Sequence, residues 1–160
     1  MKKTISAAML MTALLVCILS ANAAGPPPLR RSWLTTLAPG PGVQTPLDLF
    51  FHANGKLTVE IDQDGAVPGS WQITAPALDG SGNDEFSASC QTSNQDLLIL
   101  VNTRLGVAVS GFTLVLRGQV HAAGTPQMSI DGFAAGIAWD SVARTFVVVP
   151  LGGFQGIPAH

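Results

Sequence analysis

Apolar residues recur at every second position along most of this chain, and turn-forming residues cut the alternation at short intervals. Residues 56–62 show it most plainly. Leu57, Val59 and Ile61 fall on one side, and Thr58, Glu60 and Asp62 on the other. A period of two marks a strand with one buried face. Residues 47–53, 70–75, 84–90 and 127–133 read as strands in the same way. Asn54-Gly55 joins the first two runs and supplies the tolerance of positive φ that a tight hairpin demands.

Other stretches depart from strict alternation. Leu97-Leu98-Ile99-Leu100-Val101 is apolar throughout and reads as a strand buried on both faces. Residues 107–110 and 112–120 form one long strand or two, bent at Gly111. Residues 136–140 and 144–150 make a final hairpin around Ser141-Val142-Ala143. Its second arm, with Phe146-Val147-Val148-Val149, is an edge strand able to pair with a neighbouring molecule. No helical stripe of useful length follows residue 38, and no period repeats.

About nine short strands predict an all-β fold, a single antiparallel β-sandwich or a small flattened β-barrel, spanning residues 47–150. Residues 24–46 hold Pro26-Pro27-Pro28 and Pro39-Gly40-Pro41-Gly42 and read as a Pro/Gly-rich arm. Residues 151–160 read as a flexible tail. The first 23 residues combine Lys2 and Lys3, an apolar run over 5–19, and Ala21-Asn22-Ala23. That is the layout of a cleaved signal peptide, which places the mature chain in the periplasm or outside the cell. No later run reaches the ~20 apolar residues of a spanning helix, so the mature chain carries no membrane span of that kind. An outer-membrane barrel is disfavoured by the lack of tyrosine for interfacial girdles and by the short strands.

Charge narrows the partners. Eight Lys and Arg stand against ten Asp and Glu, and two of the eight, Lys2 and Lys3, leave with the leader. The acidic remainder has no basic patch for phosphates, which disfavours nucleic acid. Charged residues make up 11% of the chain, well below the ~25% of an average domain. A surface of neutral polar residues and apolar atoms suits a partner or self-association. Cys17 lies in the leader, so Cys90 is the sole mature cysteine, with no intramolecular disulfide open to it, and it reads as a buried small hydrophobe.

The residue types that carry chemistry are sparse. Glu60, Asp62 and Asp64 followed by Gly65 imitate the start of a calcium loop, but the twelfth position, where a glutamate is needed, is Trp71. His52, His121 and His160 lack the close spacing of a zinc site. No G-x-S-x-G elbow is present, since Ala108 occupies the place of the first glycine before Ser110. Trp33, in the arm, is the exposed docking aromatic, whereas Trp71 and Trp139 sit in alternating strands and read as core. With His52 and His121 these tryptophans are the candidate ligand-contacting residues. No catalytic set, metal site or cofactor is assigned. The reading is an exported, non-enzymatic binding module for a small apolar ligand or a protein partner. The alternative is a cell-surface or periplasmic assembly protein joined into homo-oligomers through edge strands, and a third reading is a hydrolase whose site is assembled from distant residues.

Overall fold

The computed structural model describes residues 29–62 and 65–160. The expected leader, the first residues of the arm (24–28) and Asp64 lie outside them. Eight strands run in chain order, each antiparallel to the next: β1 (Ser32–Gly40), β2 (Val43–Phe51), β3 (Lys56–Ile61), β4 (Ala66–Ala75), β5 (Glu85–Thr92), β6 (Phe112–His121), β7 (Ser129–Asp140) and β8 (Thr145–Pro158). β8 returns to pair with β1 and closes a barrel. One helix, α1 (Gln95–Leu105), is inserted between β5 and β6. The fold is all-β, and of the two expected arrangements the barrel is the one adopted. Closure removes most free strand edges, and eight strands enclose a space that side chains alone can fill.

The interior is apolar. Leu47, Leu49 and Phe51 of β2, Leu57, Val59 and Ile61 of β3, and Phe112, Leu114 and Leu116 of β6 all point inward and are buried. An aromatic ladder crosses this space. Trp71 meets Phe51 edge-on at 5.4 Å, Phe51 meets Phe86 at 5.4 Å, and Phe86 meets Phe154 at 6.3 Å. Gly118 makes room for the last contact. A Cβ there would lie 2.8 Å from Phe154 and 2.9 Å from Phe86. Outward positions on β3 to β5 are mostly polar, among them Lys56, Glu60, Gln72, Glu85 and Gln91. Outward positions on β1, β7 and β8 include large apolar side chains, among them Leu34, Phe133 and Ile157.

Several boundaries differ from the pattern-based expectation. Residues 32–46, expected as arm, form β1 and the start of β2. Trp33, Thr35 and Leu37 alternate inward along β1, Pro39 and Gly40 end that strand, and Pro41-Gly42 is the turn to β2, with Gly42 at φ 73°. The proline and glycine content of that turn masked the alternation before it. The expected tail is strand as well, because β8 continues to Pro158 and Trp33–Ala38 pairs with Pro158–Gly153. β8 manages this through a bulge. Gly152 faces Ala134 and Pro150 faces Ala135, so Leu151 is an extra residue and the inward phase shifts from Val149 and Leu151 to Phe154. Gly152 takes φ 123°, and a Cβ on it would lie 2.2 Å from the Ala38 carbonyl oxygen.

The doubly apolar run 97–101 is helical. Asn94 caps its start by accepting the Leu97 amide at 3.0 Å, Asp96 lies in the first turn, Arg104 in the last, and Gly106 ends it in the left-handed conformation at φ 74°. The caps outweigh the strand reading because a short apolar run is equally compatible with a buried helix. Residues 107–110 are loop, held where Asn102 accepts the Val109 amide at 2.8 Å. The Asn54-Gly55 turn forms as expected with both residues at positive φ, although Ala53 joins them in a three-residue loop.

Candidate functional site

α1 lies across one end of the barrel. Leu97 and Val101 are buried, and Val101 faces Gly136 on β7. Arg104 extends from its last turn to the seam between β1 and β8. The guanidinium donates to the Pro39 carbonyl at 2.7 Å and to the Pro150 carbonyl. The seam needs this bridge because β1–β8 pairing stops at Ala38 and Gly153.

Beyond that point β8 pairs with β7 alone. Trp139 faces Phe146, Asp140 faces Thr145, and Ile137 faces Val148. β7 stays paired with β6 as far as Ile137, so Ala138–Asp140 and Thr145–Val147 extend past the barrel wall as a two-stranded ribbon. Asp140 shapes its tip by accepting the Val142 and Ala143 amides at 2.8 and 2.9 Å. The outer face of the ribbon is apolar and open to solvent. Trp139 is 47% exposed, Phe146 69% and Val148 63%. The two rings meet edge-on at 5.1 Å. Among the described residues no strand pairs with the β1-side edge of Thr145–Pro150.

A second feature is a groove of about 750 Å³ on the outer barrel wall, over β6, β7, β8, β1 and β2. Thr36, Asp48, His121, Ser129, Asp131 and Gln155 line it, with Leu34 and Ile157 exposed beside them. His121 Nε2 contacts the Asp131 carboxylate, both side chains being about half exposed. The pair is diagonal across β6 and β7, since His121 faces Ser129 in the register and Asp131 faces Gln119. A carboxylate that orients an imidazole is half of a nucleophilic site. Ser129 lines the same groove, and among the described residues no hydrogen bond joins its hydroxyl to the ring. An exposed pair of this kind contributes little to stability.

The other candidates are dispersed. Trp33, expected at the surface, is wholly buried, and its indole N–H donates to the Leu29 carbonyl at 3.3 Å. Trp139, expected in the core, is the exposed one. Trp71 is buried as expected, and its indole N–H reaches the His52 carbonyl at 3.0 Å. His52 itself is exposed, with a ring nitrogen 2.9 Å from the Thr58 hydroxyl. Only His52 and Trp71 are brought together, and they meet through backbone. Glu60 is exposed on β3 and Asp62 is exposed in the turn that follows. Among the described residues no three of His, Cys, Asp and Glu gather in a metal-holding geometry. In the acidic loop 79–85, Asp79 accepts the Ser81 amide at 3.0 Å, Asn83 accepts the Ala123 amide at 3.0 Å and Asp84 accepts the Ala77 amide at 2.8 Å, so these oxygens shape the backbone. Bonds from Ser81 hold the Asp79 carboxyl below its ordinary pKa. Burial pushes the Cys90 thiol up to about 11 and makes it a poor nucleophile at neutral pH.

The residues that sequence reasoning missed are Phe146 and Val148 as an exposed pair with Trp139. Their one legible signal was the β-branched edge strand in which they sit. The chain matches no protein-family model, no curated protein and no solved structure.

Proposed function

We propose that this chain is an exported, non-enzymatic binding barrel whose contact element is the β7–β8 ribbon and whose partner is a protein. The observation that carries the reading is the coincidence on one element of an exposed aromatic pair, Trp139 and Phe146, and a backbone edge that no strand pairs among the described residues, Thr145–Val149. Aromatic side chains supply large contact area at low entropic cost, and a free strand edge offers main-chain hydrogen bonds to an added strand. A protein partner is favoured over a small apolar ligand because the barrel interior is occupied by its own side chains, the aromatic ladder among them. Export follows from the leader-like start of the sequence and suits a surface with so few charges.

A photo-crosslinking amino acid placed at Phe146 in the exporting cell tests the reading, with the same substitution at Gln72 on the polar face as control. Adducts at 146 and none at 72 are expected. No adduct at 146, or equal adducts at both sites, overturns it.

A further inference from the structure

We infer that the partner is a second copy of this chain, joined by antiparallel pairing of β8 with β8′ about a twofold axis at Val147. The inference rests on the ribbon being the contact element and adds what fills it.

The free edge is unguarded. Natural edge strands are blunted by lysine, proline, bulges or inward charges. Residues 145–149 are Thr-Phe-Val-Val-Val, with no charge and no proline, and the Pro150 and Leu151 irregularity begins only after them. Arg104, on the Pro150 carbonyl, marks where the open stretch ends. An uncharged edge offers no pattern by which a charged partner could be selected. It does offer self-complementarity. A twofold axis normal to the strand makes the second copy antiparallel automatically, which an isologous contact requires.

Register selects the centre. Pairing about Val147 places Phe146 opposite Val148′ and Val148 opposite Phe146′, all four on the outer face. Each exposed aromatic then packs on a β-branched neighbour, a favourable cross-strand pair. Trp139, across β7 from Phe146, extends the face on each side. The result is a four-stranded sheet, β7–β8–β8′–β7′, with one continuous apolar face. In this register Arg144 stands opposite Pro150′, and the two tips lie at opposite ends of the seam. The outer face stays open to solvent, and the seam consists of main-chain hydrogen bonds with the lateral Phe146–Val148′ contacts, well short of a standard interface, so the dimer dissociates on dilution.

Light scattering of the exported chain across a concentration series tests this. The mass is expected to rise from that of one chain to that of two. The register gives a sharper arm. Phe146→Lys with Val148→Lys sets like charges opposite one another across the axis and is expected to weaken association at least tenfold. Phe146→Lys with Val148→Glu sets Lys opposite Glu′ and is expected to restore much of it. Circular dichroism of both double variants confirms the barrel. A single-chain mass at every concentration, or equal behaviour of the two double variants, overturns the inference. If the 146 photo-adducts then join this chain to a different protein, the binding reading stands and self-pairing alone is lost. If no adduct forms at all, both are lost.

Discussion

The guanidinium of Arg104 and the carbonyl of Pro39 lie 65 residues apart in the chain and meet at 2.7 Å. With the Pro150 carbonyl as second acceptor, one helix side chain joins the two strands where their own ladder ends. Arg104→Ala removes both charge-assisted bonds. Since the group is partly open to water, the expected loss is about 1–2 kcal/mol of unfolding free energy, read by urea titration. Faster hydrogen exchange at Leu97–Val101 should accompany it. A loss below about 0.3 kcal/mol would show that packing alone holds the helix.

Gly118 is a matter of space. A side chain there meets Phe86 and Phe154 at under 3 Å and the Asp131 carbonyl oxygen at 2.6 Å. Gly118→Val is expected to destabilise the barrel by about 1–3 kcal/mol or more through overpacking, measured by thermal melting.

Thr35 is buried, and its hydroxyl has no hydrogen-bond partner. Nearly isosteric Thr35→Val removes an unpaired polar atom from the barrel. A gain of about 1 kcal/mol is expected in urea unfolding.

Cys90 gives a pH dependence of definite sign. Burial raises its folded pKa to about 11, above the ordinary range of a thiol. The stability tied to the un-ionised thiol is therefore fully present below pH 9 and is lost as pH rises towards 11. The loss reaches about 2–3 kcal/mol at most. Denaturant midpoints at pH 8 and pH 10.5, compared between the natural chain and Cys90→Ala, isolate the effect. The variant should lack this component of the alkaline decline.

Trp139 is the only one of the three tryptophans exposed to solvent; Trp33 and Trp71 are buried. The acrylamide-quenchable, red-shifted part of the fluorescence is expected to vanish in Trp139→Phe.

Much of this barrel was written in local pattern. Period-two burial along β3 and β5 depends only on which side chains avoid water, so Leu57, Val59, Ile61, Phe86, Ala88 and Cys90 could be placed inward from their order alone. The Asn54-Gly55 turn was equally legible, because positive φ is a property of residue type. The ends of the helix carry a local signal as well, the Asn94 cap and the Gly106 stop, which its uniformly apolar middle obscures. Closure was not. Whether β8 returns to β1 depends on contacts between Trp33–Ala38 and Gly153–Pro158, more than a hundred residues apart, and no local signal encodes that distance. The exchange of Trp33 and Trp139 follows from it. Trp33 is covered because its strand completes the wall, and Trp139 is bare because its hairpin outruns it. An identical alternation serves a strand inside a closed sheet and one that projects beyond it, so only the three-dimensional pairing could distinguish a core aromatic from a contact surface.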